Sequence, residues 1–210
     1  MPNRRTVITL FAAVMAGAGS IVVTPAARAD DLSAAQAMIQ TTGGRLLSVV
    51  NSSAGYAQKQ AQLKRLVDDN VDVDGVAHFV LGRFWRVATP QQQQDYMQTF
   101  RQLLVYAVTG QASTFQGASF SVGSATQQPV GIVVNTTVNV PGKPQATVQW
   151  VVQMMNGQPK IIDIIAEGTS LRLTERNDYA GVISQHGGQV QPLIDAMRIQ
   201  LARFQSNPTG

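Results

Sequence analysis

Residues 132–167 read IVVNTTVNVPGKPQATVQWVVQMMNGQPKIIDIIAE, and this stretch decides the fold. Ile132, Val134, Thr136, Val138 and Val140 alternate with Val133, Asn135, Thr137 and Asn139, the period of two that belongs to a β-strand. Pro141-Gly142-Lys143-Pro144 has turn chemistry, Thr147 to Met155 is the next strand, and Asn156-Gly157 is a tight-hairpin dipeptide. Lys160 to Glu167 is a further strand, and the period of two already begins at Ser119. Short turns between neighbouring strands predict an antiparallel sheet.

Both parities of this sheet are apolar. Val133, Val151, Met155, Ile162 and Ile164 fall on one, and Val134, Val138, Val148, Trp150, Val152, Ile161 and Ile165 on the other. Such a sheet is either covered by helices on both faces, or it encloses an apolar cavity against its helices.

Helical patterns flank it. Leu32, Ala35, Ile39, Leu46 and Val50 keep helical spacing, weakened by Gly43-Gly44. A second helix spans roughly Ser53 to Asp69. A third starts near Asp74, with Asp72 or Asp74 as its cap and Gly82 at its end. Thr89-Pro90 opens a fourth helix, expected to run to about Val108 and stop at Gly110. After the sheet come helices at roughly Glu175 to Gln185 and Val190 to Phe204. The fold class is thus α+β, with helices over 30–110, a sheet of about four to five strands over 118–173, and helices over 174–204 in one domain. Residues 205–210 are expected to be a disordered tail.

The N-terminus has the pattern of an export signal. Arg4 and Arg5 supply the positive region, Val7 to Val23 is uncharged and apolar, and Ala27-Arg28-Ala29 is an A-x-A cleavage site. Cleavage after Ala29 leaves 181 of the 210 residues, enough for one sizeable core. It also removes three of the 16 basic residues, so 13 face 12 acidic ones and the apparent basicity disappears. No basic cluster interleaved with aromatics remains, which argues against nucleic-acid binding. The chain has no Cys, so it needs no disulfide and cannot carry a lipidated Cys anchor.

Several motifs imitate chemistry. Asn70-Val71-Asp72-Val73-Asp74-Gly75 starts like a calcium loop, but its twelfth position is Leu81 where a bidentate Glu is required. Gly168-Thr169-Ser170-Leu171-Arg172 lacks the second Gly of a nucleophile elbow. His78 and His186, the only two histidines, read as packing and helix-end residues, and a catalytic zinc site is not expected. Asp163 and Glu167 lie four apart on the predicted strand, with Lys160, Arg172 and Arg176 near enough in sequence to pair with them. Arg83 and Arg86 flank Trp85 as solvated cations.

Taken in order, these residues resemble the MlaC family, also called the toluene-tolerance auxiliary proteins. Leu81-Gly82-Arg83-Phe84-Trp85-Arg86-Val87-Ala88-Thr89 is similar to one family block, and the Gln-rich helix with Phe100, Leu103, Leu104 and Tyr106 follows it. Lys160-Ile161-Ile162-Asp163-Ile164-Ile165-Ala166-Glu167-Gly168-Thr169-Ser170-Leu171 resembles the family's strand signature. Arg176, Tyr179, Ile183, Gly187-Gly188 and Leu193-Ile194 continue it. Pro159, where a Trp often stands, and Thr169, where Val is common, depart from the pattern.

The resemblance implies a nuclear-transport-factor-like (NTF2-like) cone that holds phospholipid acyl chains in an apolar cavity between sheet and helices. It implies a monomer in the periplasm, with no cofactor beyond the lipid cargo. The implied partners are phospholipid, an inner-membrane ABC transporter with an MCE-domain subunit, and an outer-membrane lipoprotein bound to a porin, a traffic that maintains outer-membrane lipid asymmetry. A hopanoid-associated lipid carrier is the related alternative. A cavity enzyme using Asp163 or His78 is the alternative of another class. On the carrier reading the expected lining is Phe79, Val80, Phe84, Leu103, Leu104, Ala107, Val148, Trp150, Val152 and Ile164, while Asp163, Glu167, Ser170 and Arg176 join the last strand to the following helix.

Overall fold

The computed structural model describes residues 25–206. The leader up to Thr24 lies outside them, as do Asn207 to Gly210. Six α-helices and five strands follow in the order α1 (Pro25–Asn51), α2 (Tyr56–Asn70), α3 (Val73–Leu81), α4 (Pro90–Gln111), β1 (Ser119–Gln128), β2 (Gly131–Asn139), β3 (Ala146–Met155), β4 (Gln158–Ala166), β5 (Thr169–Ser170), α5 (Leu171–Gln185) and α6 (Gln191–Ser206). The fold is α+β. The strands form one antiparallel sheet in chain order, β1 to β5.

Local chemistry explains most boundaries. Thr89 caps α4 in a reciprocal box: its hydroxyl accepts from the Gln92 amide at 3.2 Å, and Gln92 Oε1 accepts from the Thr89 amide at 3.0 Å. Asp72 caps α3 by accepting from the Gly75 amide at 3.1 Å, so the apparent calcium loop is a helix entry. Asn156 and Gly157 both take positive φ, as a two-residue hairpin with right-handed strand twist demands.

Helix bounds depart from the sequence signals at four places. α1 runs unbroken through Gly43-Gly44, and α4 runs through Gly110 to Gln111 instead of stopping near Val108. At Gly43 the reason is direct: an added Cβ would lie 2.3 Å from the Phe120 ring of β1, so this crossing needs a residue without a side chain. α5 begins at Leu171, four residues before the expected start at Glu175, because the Ser170 hydroxyl caps it through the Leu173 amide. Gln205 and Ser206, expected in the tail, extend α6.

A β-bulge between Val151 and Val152 changes the sheet faces. Beyond it Trp150 pairs with Ile164 and Gln149 with Ile165. Ile164 therefore joins Trp150 and Val152, and Ile165 joins Val133 and Val151, the reverse of the strict alternation read from sequence. The face carrying Ile132, Val134, Val152 and Ile161 is covered by Leu32, Ala35, Met38 and Ile39 of α1. β1 is the outer edge strand and has a second irregularity between Val122 and Ala125. There Gln36 of α1 donates to the Gly123 carbonyl at 2.7 Å.

The larger core is helical. α3, α4, α5 and α6 surround Tyr96, Leu81, Ile183, Ile194 and Met197, all nearly inaccessible. The Tyr96 hydroxyl donates to the Ala77 carbonyl at 2.9 Å. Val71, at the α2–α3 junction, packs against both cores and bridges in parallel to Ile161.

Candidate functional site

The ten expected lining residues divide between these two cores. Val148, Trp150, Val152 and Ile164 share the α1-covered face of the sheet. Phe79, Val80, Phe84, Leu103 and Leu104 belong to or pack against the helical core, and Ala107 is exposed on α4. One residue of each group, Phe79 and Val152, lines a common groove.

The sheet face is a continuous apolar strip with one polar feature. Trp150 Nε1 donates to Thr136 Oγ1 at 3.0 Å, and Thr136 passes its own proton to the Val148 carbonyl at 2.8 Å. The indole is thereby fixed while its rings stay on the apolar strip. α1 covers the strip with Leu32, Ala35, Met38 and Ile39.

A groove of about 530 Å³, open to solvent, lies where β2 starts and β3 ends. Its walls include Ile132, Val152, Met154 and Ile162 of the sheet, Pro129 and Val130 of the β1–β2 turn, and Phe79 of α3. Its charged side chains are Asp31 of α1 and Arg172 of α5. Of the expected lining, Phe79 and Val152 reach it. Among those missed are Arg172, Asp31, Val130 and Met154, which no sequence spacing brings together.

Electrostatics converge behind the groove. Asp163 is buried and both its oxygens are engaged: Oδ1 accepts from the Ile164 amide at 2.8 Å and the Arg172 amide at 3.1 Å, and Oδ2 accepts from the Ser170 hydroxyl at 2.6 Å. Arg172 Nε stands 3.4 Å from Oδ2 yet is buried without a hydrogen-bond partner among the described residues. The Arg172 and Arg176 guanidiniums lie 4.3 and 4.9 Å from the Phe79 ring centroid, a doubled cation–π contact. Arg176 also donates to the Phe79 carbonyl at 3.3 Å, so it ties α5 to α3 and not to the strand. Glu167 is not on the Asp163 face of β4: it sits after the strand at φ 51°, in the turn with Gly168.

The acid–base candidates are otherwise occupied. His78 is exposed, its Nδ1 is 2.7 Å from the Asp74 carbonyl, and its ring meets Trp85 edge-on at 4.0 Å. Among the described residues no three His, Asp or Glu side chains are placed to hold a metal ion, and no helix is long and apolar enough to cross a membrane. Burial pushes the Tyr96 and Tyr179 phenols far above their ordinary range, away from any working pH.

Comparisons with known proteins agree on one relationship. The family model described as MlaC protein matches residues 40–199. A curated relative, toluene tolerance protein ttg2D of Pseudomonas putida, is 22% identical over 144 residues, which are 67% of this chain and 66% of that one, just under two thirds of its length. A solved structure, the phospholipid-binding protein from Ralstonia solanacearum in complex with a phospholipid, superposes with a TM-score of 0.70 at 26% identity. The superposition covers 81% of this chain and 98% of the other.

Proposed function

The chain belongs to the MlaC family, and from that premise we propose that it is a phospholipid carrier whose cargo lies against the apolar face of the sheet now covered by α1. The observation that carries this is the superposition over nearly the whole length of a chain that holds a phospholipid. The lining read from sequence divides under this proposal. Val148, Trp150, Val152 and Ile164 contact acyl chain, Phe79 stands at the groove, and Val80, Phe84, Leu103, Leu104 and Ala107 serve the helical body.

Magnitudes support a displaceable α1. Two acyl chains carry about 30 methylenes, and at about 0.8 kcal/mol each their removal from water is worth on the order of 20 kcal/mol. The four α1 side chains on the strip, Leu32, Ala35, Met38 and Ile39, contribute at most about 1.5–3 kcal/mol apiece. That energy bars the lipid from crossing through water; between a membrane and an equally apolar site it cancels, so loading has only the modest hold of this stretch of α1 to overcome, and α1 re-covers the strip on release. A site about as apolar as a membrane can both load and unload.

The wider assignment follows from the same reading. The leader through Ala29 is removed on export, residues 30–204 form one lipid-binding domain, and the monomeric carrier works in the periplasm. It shuttles phospholipid between an inner-membrane transporter with an MCE-domain subunit and an outer-membrane lipoprotein–porin complex, which maintains outer-membrane lipid asymmetry. It performs no reaction and uses no cofactor. The test is direct: protein purified from cells, extracted and analysed by mass spectrometry, is expected to yield co-bound phospholipid. Protein that stays lipid-free and takes up none from liposomes rejects the carrier.

A further inference from the structure

Resting on the carrier reading, we propose that Arg172 is the headgroup anchor, its guanidinium receiving the phosphodiester of the lipid in the groove beside the β1–β2 turn. Arg172 is the positively charged side chain of a groove whose lining combines apolar Phe79, Ile132, Val152 and Met154 with Asp31, Gln127 and Gln153.

The side chain is held ready. Its guanidinium lies against Phe79, and its own backbone amide is fastened to Asp163 Oδ1. Asp163 sets the orientation by pairing with Nε at 3.4 Å, too far for a hydrogen bond, and the Arg172 side chain keeps 18% of its surface exposed. The planar fork of donors fits two phosphate oxygens at once, which an ammonium cannot match. Arg176, 4.9 Å from the opposite partner of this contact, the Phe79 ring, adds a second positive charge nearby.

The same chemistry would accept free phosphate, but the groove disfavours it. Asp31 also lines the wall, and its carboxylate repels a dianion more than the single charge of a phosphodiester. The apolar walls, moreover, give a free ion nothing to bury, whereas they accept the glycerol end of a lipid.

The experiment uses the full chain and vesicles containing phosphatidylcholine and diacylglycerol of identical acyl chains, with protein-bound lipid quantified by mass spectrometry. The wild type is expected to take phosphatidylcholine in preference to diacylglycerol. R172Q is expected to lose phosphatidylcholine by about tenfold or more, the loss appropriate to charge-assisted hydrogen bonds, while keeping its diacylglycerol uptake. R172K, which retains a cation beside Asp163 but not the fork, is expected to lose most of the preference at wild-type thermal stability. Unchanged phosphatidylcholine uptake by R172Q and R172K overturns the anchor and leaves the carrier standing. A wild type that takes up neither lipid rejects the carrier itself. Release of bound phosphatidylcholine by millimolar inorganic phosphate reassigns Arg172 to free phosphate and overturns the lipid anchor.

Discussion

Ser170 donates its hydroxyl proton to Asp163 Oδ2 at 2.6 Å while the same oxygen accepts the Leu173 amide at 3.2 Å, so one hydroxyl both closes the last strand and starts α5. Asp163 in turn fixes the Arg172 amide. Replacing Asp163 with Ala leaves the Ser170 hydroxyl and two amides without their acceptor and removes the carboxylate beside the Arg172 guanidinium. The expected loss is about 3 kcal/mol, or roughly 10 °C of Tm for a domain of this size, read by thermal denaturation. D163A within about 1 °C of wild type would show the junction to be inessential.

The pair Gly43 and Gly44 tests how α1 lies on the sheet. Nothing stands within 4 Å of a Cβ on Gly44, whereas one on Gly43 runs into the Phe120 ring. G44A is expected to stabilise by up to about 1 kcal/mol through helix propensity. G43A is expected to destabilise, because the ring must be displaced. Denaturant midpoints compare the two directly, and equal gains in both would remove Phe120 from α1.

Trp150 and Trp85 are the two tryptophans, one on the sheet strip and one beside the helical core. On lipid loading, W85F, which keeps Trp150, is expected to change in emission. W150F, which keeps Trp85, is expected to remain nearly constant. The opposite pattern would move the cargo to the helical side.

Charge insertion separates the two cores. V148E places a carboxylate on the strip between Thr136 and Ala166, and is expected to abolish loading with little change in fold. L104E touches the helical core and is expected to lower Tm first. Normal lipid occupancy in V148E would remove the strip from the binding surface.

Alkaline pH probes the helical core. The phenols of Tyr96 and Tyr179 have folded pKa values raised first by burial, with Tyr179 and Glu175 adding at Tyr96, and Glu175 and Asp178 at Tyr179. Unfolded phenols ionise near pH 10, so above that pH the folded state binds more protons and stability falls as pH rises. Phenolate absorbance is expected to show Tyr96 and Tyr179 ionising only as the chain unfolds, and all four tyrosines titrating together near pH 10 would contradict their burial.

Much of this architecture was legible in residues 132–167 and in a few caps. Thr89, Asp72 and Asn156-Gly157 act through neighbours in sequence, so their effects are local and readable. The faces of the sheet were not, because one bulge at Val151–Val152 exchanges Ile164 and Ile165, and nothing in an apolar run marks the extra residue. Glu167 was read as strand although it takes a left-handed turn conformation that Glu rarely adopts. The glycines at 43, 44 and 110 signal breaks that tertiary packing overrides. Arg172 pairs with Asp163 as its nearness in sequence suggested, but its contact with Phe79 spans 93 positions and no spacing rule covers it.

β1 has a consequence for life at high concentration. Among the described residues its outer edge pairs with no strand, and its residues 119–128, SFSVGSATQQ, are mostly hydroxyl, amide or small. The irregularity between Val122 and Ala125 bends the strand, and Gln36 claims the Gly123 carbonyl that another chain would use. If α1 leaves the strip on loading, as proposed, the uncovered sheet would risk recruiting a neighbour's strand and growing into fibrils. A kinked, polar border with one carbonyl already taken offers such a strand no straight template.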